Sequence, residues 1–254
     1  MDDYVIRDVS TATARSAKAV AWLLERSRSD RLRTLYWQLR ARDVDIAYGD
    51  SRGDYPLVTS VISRSAATRV LDYGCGGGRL FQLYRDLHLR EAVGFDIAPA
   101  MTAIARARYP DDQFGFVSGL PSDLIYTAGH FDLGIANRAI SGVGPAHIDE
   151  VVATLCRLCR NVYVNEITDP DWQSSSYWFR HDYPALFSTH GFAVIERGVL
   201  QAEEWMSGEW YLFGPRTPRT AGDEHDQSGD SAGMGDSSVT SFLAQDHQTA
   251  AGNV

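Results

Sequence analysis

The sequence predicts a doubly wound α/β fold on a mostly parallel sheet, and three features predict it. Short apolar runs alternate with segments of helical periodicity from residue 69 onward. The runs are almost continuously apolar, as expected for strands that are covered on both faces. A chain of 254 residues that is 44% hydrophobic is also long enough to bury a substantial core in one large domain.

The predicted elements follow one another in a regular order. Two helices come first, at 12–27 and 30–46, the second with Asp30 as its N-cap. Seven strands are predicted at 69–73, 91–95, 114–117, 131–136, 161–166, 193–199 and 208–214. Further helices are predicted at 78–87, 99–108, 147–160 and 183–190. No helix separates the last two strands, so we expect a hairpin that gives the seven-stranded sheet an antiparallel edge.

Composition divides the chain into three parts. We predict an N-terminal helical cap over 1–60, the α/β domain over 61–216 and a disordered acidic tail over 217–254. Residues 220–254 hold five Asp, one Glu and no Lys or Arg. Their few apolar side chains do not offset the entropy cost of ordering the segment.

Charge and composition exclude several classes of function. A net charge of -9 argues against nucleic acid as a partner. The chain has no apolar run of 18 residues, and its first ten residues lack the features of a secretory signal, so we expect a cytoplasmic protein without membrane contacts. The oligomeric state stays open.

The cysteines are expected to be unbridged and to bind no metal. Three cysteines are too few for a disulfide framework. Cys156 and Cys159 have metal or redox spacing, but no second pair completes a zinc set, and the pattern predicts two small apolar helix residues.

The segment VLDYGCGGGRL, residues 70–80, carries the strongest signal for a ligand. It lies where the first strand ends, and ligands of such sheets bind at the carboxyl ends of the strands. A dinucleotide loop would read G-x-G-x-x-G, but Arg79 stands where the third glycine belongs. Asp72 would repel a pyrophosphate and attract a ligand that brings an ammonium and a sulfonium group.

The same residues resemble the D/E-x-G-x-G-x-G signature of class I S-adenosylmethionine-dependent methyltransferases. The resemblance covers about residues 60–215 and implies a Rossmann-like fold, S-adenosylmethionine as cofactor and methyl transfer as reaction. It places five residues of the loop at the cofactor: Asp72, Gly74, Cys75, Gly76 and Gly78.

The later strands supply further cofactor contacts under this resemblance. Asp96, 22 residues after Gly74, is expected to accept hydrogen bonds from both ribose hydroxyls. Ile97 and Met101 either enclose the adenine or pack their helix. Gly119 stands where relatives often carry an adenine-binding Asp, so the backbone of Ser118 to Leu120, or the nearby Asp123, is expected to take that role.

The fourth and fifth strands point to the acceptor side. Asn137 is expected to meet the methionine portion of the cofactor through its backbone or its amide. It does not belong to an N-P-P-Y or D-P-P-Y tetrapeptide, which argues against amino-methyltransferases of nucleobases.

Residues 167–182 are long for a connection and aromatic, typical of a binding loop. Trp172, Tyr177, Trp178 and Phe179 suit a sugar face or a flat ring, with packing over the sheet edge as the alternative. The segment from Glu166 to the H-D-Y at 181–183 loosely resembles small-molecule and sugar O-methyltransferases.

Two histidines are candidates for a catalytic base. His181 is preferred over His147, and a surface or helix-capping role is the alternative for each; Asp182 and Glu166 are further candidates. The sequence therefore predicts methyl transfer to an oxygen or nitrogen of a small molecule, a sugar or secondary metabolite. A non-catalytic S-adenosylmethionine-binding protein and an NAD-dependent oxidoreductase are the alternatives.

Overall fold

A computed structural model describes residues 29–110, 114–167, 179–203 and 206–216, together with single positions at 16, 19, 20, 22 and 23. Most of the predicted helix at 12–27 lies outside the described residues. So do Trp172, Tyr177 and Trp178 of the predicted binding loop and the tail at 217–254.

Seven strands form one sheet in the order β3-β2-β1-β4-β5-β7-β6. They are β1 Arg69–Tyr73, β2 Glu91–Asp96, β3 Phe114–Ser118, β4 Phe131–Asn137, β5 Cys159–Ile167, β6 Phe192–Glu203 and β7 Met206–Pro215. The first five strands are parallel, and β7 pairs antiparallel with both β5 and β6. The predicted α/β fold with its antiparallel hairpin at one edge is thereby confirmed; β6 is outermost and β7 lies one place inside it.

The helices are α1 Asp30–Tyr48, α2 Tyr55–Arg64, α3 Phe81–Asp86, α4 Pro99–Arg108, α5 Ile148–Leu158 and α6 Tyr183–Thr189. Helix α2 was missed by the sequence analysis. Its Pro56 lies in the first turn, where a missing N–H costs little, and Leu57, Val58, Val61 and Ile62 form a buried face. The N-cap of α1 is Ser29 rather than Asp30, which is the first helical residue.

The prediction that Cys156 and Cys159 lie in one helix is wrong. Cys156 lies in α5, and Cys159 is the first residue of β5. Both thiols are free, and so is that of Cys75. Across the described parts of the chain, no cluster of His, Cys, Asp or Glu is arranged to hold a metal ion. None of the helices there is long and apolar enough to span a membrane.

The sheet separates two apolar cores. Side chains of α5 and α6 pack on one face, where the Phe187 and Phe213 rings stack 4.0 Å apart. Side chains of α2 and α3 pack on the other, with Phe81 and Trp210 among the largest buried side chains. These layers leave the carboxyl ends of β1, β2, β4 and β5 on one edge of the sheet, where the loops that follow them meet.

Candidate active site

The glycine-rich loop after β1 is pressed between its neighbours. The Gly74 N–H donates to the Phe95 carbonyl over 2.7 Å. Its φ of 76° lies in the left-handed region, and an added Cβ would come within 2.3 Å of the Ala139 methyl group. Gly74 therefore lets the loop approach both β2 and the loop after β4.

Asp96 joins this loop to the end of β2. Its Oδ2 accepts from the Gly76 N–H over 3.0 Å, and its Oδ1 accepts from the Ala98 N–H over 2.9 Å. Burial raises the pKa of Asp96 to about 6, against the two hydrogen bonds, which lower it. A carboxylate oxygen offers two lone pairs, so each oxygen of Asp96 retains one for a ribose hydroxyl. The acid therefore fits the ribose role expected from the sequence.

Asp72 lies beneath the loop and is only 3% exposed. It accepts a hydrogen bond of 3.2 Å from the Tyr84 hydroxyl in α3. Burial raises its pKa to about 7, although the Tyr84 hydrogen bond lowers it. When ionised, Asp72 contributes negative potential from behind the loop.

The remaining predicted cofactor residues divide into ligand-facing and core positions. Met101 is buried, and its Sδ lies 3.9 Å from where a Cβ on Gly76 would be. Ile97, which directly follows Asp96, is half-buried. The Cys75 sulfur points into the core and would lie 2.8 Å from a Cβ on Gly94. Only the backbone of Cys75 therefore belongs to the loop.

A hydrogen bond to Asp123, which lies in the same segment, fixes the backbone after β3. Leu120 is exposed, and its N–H donates to Asp123 Oδ2 over 2.7 Å. Gly119 has a φ of 146°, and an added Cβ would lie 2.2 Å from the same oxygen. Asp123 folds over this backbone, so it shapes the predicted adenine side through a local turn.

Arg79 and Asp54 form a buried ion pair that the sequence analysis missed. Arg79 Nη2 donates to Asp54 Oδ2 over 2.9 Å, and its Nη1 donates to Oδ1 of the same carboxylate and to the Ser51 carbonyl. Burial opposes ionisation, but the guanidinium lowers the pKa of Asp54 below its ordinary value. One feature of the sequence pointed to this ion pair: Arg79 stands where a dinucleotide-binding loop carries its third glycine.

Asn137 extends this network across the sheet. Its Nδ2 donates to Asp54 Oδ2 over 2.6 Å, and its Oδ1 accepts from Asn165 Nδ2 over 2.8 Å. Both ends of the predicted amide are therefore engaged inside the protein, which connects the glycine-loop side of the site to the ends of β4 and β5.

Helix α1 is fastened beside the mouth of the site. Arg108 Nη1 donates to the Gly77 carbonyl over 2.6 Å, and its Nη2 contacts both oxygens of Asp45 in α1 at 3.0 Å. Farther along α1, the Trp37 indole would lie 3.3 Å from a Cβ on Gly142. The helix thus spans from the glycine-rich loop to the loop after β4.

Glu166 is fully engaged at the end of β5. Its Oε1 accepts from the N–H groups of Ala139, Ile140 and Ser141 over 2.9, 2.7 and 3.2 Å, and its Oε2 accepts from the Ser141 hydroxyl over 2.6 Å. Burial raises the pKa of Glu166 to about 7, and these four hydrogen bonds act in the opposite direction. These hydrogen bonds turn the carboxylate toward the loop that follows β4.

His181 and His147 occupy different surroundings. His181 is half-buried, and its Nε2 donates to the Val143 carbonyl over 2.8 Å. Burial lowers the pKa of His181, against the effect of this hydrogen bond. His147 directly precedes α5 as its N-cap residue, without a side-chain capping bond. Asp182 caps α6 through a bond of 3.0 Å from the Ala185 N–H, which engages that alternative base.

The strand order, the glycine-rich loop and the acid at the end of β2 together define the class. These features are those of the fold of class I S-adenosylmethionine-dependent methyltransferases, as the sequence resemblance implied. Asp96, the loop backbone and the apolar side chains beside them fit this cofactor.

Comparisons with known proteins agree with this class. A family described as a methyltransferase domain matches residues 70–161. An uncharacterized methyltransferase of Synechocystis is 27% identical over 124 residues, which are 49% of this chain and 57% of that protein. This chain therefore spans little more than half the length of that relative.

Two solved structures share the fold. The magnesium protoporphyrin IX methyltransferase of Synechocystis with bound S-adenosylmethionine has a TM-score of 0.51 at 17% identity, over 65% of this chain and 80% of that chain. The [4+2]-cyclase SpnF has a TM-score of 0.52 at 15% identity, over 63% of this chain and 81% of that chain. At such identities these structures show a common fold alone.

Proposed function

We propose that this protein transfers a methyl group from S-adenosylmethionine to an oxygen or nitrogen of a small molecule, a sugar or secondary metabolite. The observation that carries the proposal is Asp96, a buried acid at the end of β2 with a spare lone pair on each oxygen. The net charge of -9 supports a small acceptor rather than a nucleic acid, and a cytoplasmic location goes with it.

The protein contributes mainly orientation to this reaction. When bound, S-adenosylmethionine supplies a methyl group that is already activated on a positively charged sulfur. Asp96 and the backbone of the loop at 74–78 would hold the nucleoside, with the potential of Asp72 behind them. Alignment of the acceptor with the methyl group contributes up to roughly 7 to 11 kcal/mol.

His181 is the base that the geometry favours. A carbonyl only accepts hydrogen bonds, so Nε2 carries the proton that bonds to Val143, and the neutral ring has its lone pair on Nδ1. The lowered pKa keeps the ring neutral near pH 7, ready to take a proton from the acceptor. General base catalysis of this kind contributes about 10² to 10⁴-fold.

A second candidate is a protein that binds S-adenosylmethionine without transferring its methyl group. The observation that favours it is the shared fold with a [4+2]-cyclase, because the fold itself does not dictate methyl transfer.

Turnover separates the two candidates. The protein is incubated with methyl-labelled S-adenosylmethionine and fractionated metabolite extract, and we expect labelled product in at least one fraction. Replacement His181→Ala should lower that turnover by about 10² to 10⁴-fold and leave cofactor affinity unchanged, with His190→Ala, on a histidine paired with Asp149, as control. Cofactor binding without labelled product in any fraction favours the second candidate.

A further inference from the structure

One buried carboxylate organises the loop that carries the acceptor side of the site. Glu166 is 2% exposed, and four donors from three consecutive residues, 139–141, converge on it. Three of these donors share Oε1 and one binds Oε2, so both oxygens of Glu166 hold this loop. The role of Glu166 therefore follows from the contacts that this loop makes.

The loop at 139–143 contacts the glycine-rich loop and the segment that precedes α6. The Ala139 side chain lies against Gly74 of the glycine-rich loop. The Ser141 carbonyl accepts from the Phe179 N–H over 2.8 Å, and the Val143 carbonyl accepts from His181 Nε2 over 2.8 Å. Glu166 holds the inward N–H groups of this loop while its outward carbonyls hold the segment that precedes α6.

We propose that Glu166 is a positioning residue for the catalytic base: by fixing the loop at 139–143, it places the Val143 carbonyl that determines which nitrogen of His181 carries the proton. The catalytic part of this inference rests on the proposed function. The hydrogen bond between His181 and the Val143 carbonyl does not depend on a cofactor or an acceptor.

The choice of nitrogen decides whether His181 is a base toward the acceptor. With Nε2–H held by Val143, the lone pair stays on Nδ1. If the loop loses its anchor, the carbonyl moves and the neutral ring is free to exchange the proton between its two nitrogens. In the other tautomer Nδ1 carries the proton and has no lone pair with which to take a proton from the acceptor.

A glutamine at this position keeps the shape and loses the charge. Its carbonyl oxygen can still accept from the three N–H groups and its amide can donate to the Ser141 hydroxyl oxygen, but a neutral amide accepts hydrogen bonds more weakly than a carboxylate. The loop is therefore held less firmly in this variant. Glu166→Gln is therefore the informative change, and Ser141→Ala is the milder one, because it removes only the hydroxyl bond to Oε2.

Glu209→Gln supplies the matched control. Glu209 lies opposite Glu166 in the register between β5 and β7 and accepts from the Tyr211 hydroxyl over 2.7 Å. This variant removes the same charge one strand away and leaves all four donors to Glu166 in place.

The test is the ring-nitrogen NMR spectrum of the protein labelled with ¹⁵N-histidine, recorded without cofactor above the pKa of His181. His181→Gln identifies the resonances. We expect the wild type and Glu209→Gln to show protonated Nε2 and unprotonated Nδ1. Glu166→Gln should show a mixture of tautomers, and Ser141→Ala a smaller change in the same direction.

An unchanged tautomer in both Glu166→Gln and Ser141→Ala would overturn the proposal. If Glu166→Gln does not fold, Ser141→Ala decides. Because the spectrum requires no cofactor, failure of S-adenosylmethionine to bind would refute the proposed function and leave this result standing.

Discussion

The two halves of the site use their polar groups in opposite ways. In the cofactor half, formed by the ends of β1 and β2, Asp96 keeps a lone pair on each oxygen for a ligand. In the acceptor half, formed by the ends of β4 and β5, the polar atoms of Asn137 and Glu166 form hydrogen bonds with other groups of the protein. Among the described residues of this half, His181 bonds the Val143 carbonyl through Nε2 and keeps a lone pair on Nδ1.

This difference explains what each half does. The cofactor half binds a charged nucleoside directly, so its chemistry lies in single side chains and in the backbone of the loop. In the proposed reaction, the acceptor half would be a frame whose hydrogen bonds set the position of the base His181. Changes in the first half should therefore alter affinity, and changes in the second should alter geometry.

The largest expected effect comes from the ion pair that connects the two halves. Arg79→Met leaves Asp54 buried at 2% exposure without its cation, which should cost about 3 to 5 kcal/mol of unfolding free energy. Urea denaturation measures it. Arg64→Met is the control, because its pair with Glu196 is 40% and 34% exposed and should cost less than about 1 kcal/mol. Equal losses in both variants would remove Arg79 from this connecting role.

Asp96→Ala should have the next largest effect, on affinity. It removes the two ribose contacts expected of Asp96 and the anchor of the Gly76 N–H, and bonds to charged groups contribute about 1.5 to 3 kcal/mol each. We expect S-adenosylmethionine affinity to fall by at least about 100-fold in calorimetric titration.

Asp132→Ala is the counterpart at the opposite end of the sheet. Asp132 accepts from the N–H groups of Thr68 and Arg69, far from the glycine-rich loop. It should lower stability and leave affinity intact. A comparable loss of affinity in both variants would contradict a ribose role for Asp96.

Gly74→Ala tests the close approach of the loop to β4. The left-handed backbone alone costs about 1 to 2 kcal/mol with a side chain, and the contact with Ala139 adds to it. We expect about tenfold weaker cofactor binding together with lower thermal stability.

Gly129→Ala separates backbone strain from contact. Gly129 has a φ of 66°, and no atom lies within 4 Å of the added Cβ. Its stability should fall by the backbone cost alone, with unchanged affinity. If the two variants behave alike, the contact with Ala139 has no part in binding.

The smallest expected effect is on pH dependence. Burial raises the pKa of Asp72 to about 7, so at pH 6 the carboxyl is mostly neutral and at pH 8 it is ionised. A cationic ligand should bind about fivefold to tenfold more tightly at pH 8, where one pKa unit corresponds to about 1.4 kcal/mol. The folding stability of the ligand-free protein depends on pH in the opposite direction. Because the pKa of Asp72 is raised in the folded state, the stability that its neutral form contributes at low pH is lost as pH rises through about 7.

Asp72→Asn should flatten the upper part of that profile. Asp96 has a pKa of about 6 and accounts for the lower part, between about pH 5 and 7. Titration of affinity in half-unit steps resolves the two contributions. A profile that is unchanged in Asp72→Asn would show that its charge does not reach the ligand.

The sequence predicted the cofactor half well because its signals are local. The acidic residue, the spaced glycines and the acid at the next strand end all follow from chain order in a parallel sheet. Strand β1 and helix α4 agree with their predicted bounds, since apolar runs and proline positions mark them.

The acceptor half could not be predicted in the same way. The donors to Glu166 come from residues 25 to 27 positions earlier, and Asn137 meets Asp54 across 83 positions. No local pattern marks such partners, so Glu166 looked like a candidate base and Asn137 like a free amide. Helix α2 was missed because it is short, at 10 residues, and follows a glycine and an aspartate typical of turns.

Calorimetric titration of the protein with S-adenosylmethionine and, separately, with NADH tests most directly whether the mouth of β1 accepts a positively charged sulfur nucleoside. At pH 8 we predict saturable heat with S-adenosylmethionine at micromolar concentrations and none with NADH. Binding of NADH with no heat from S-adenosylmethionine would contradict the account.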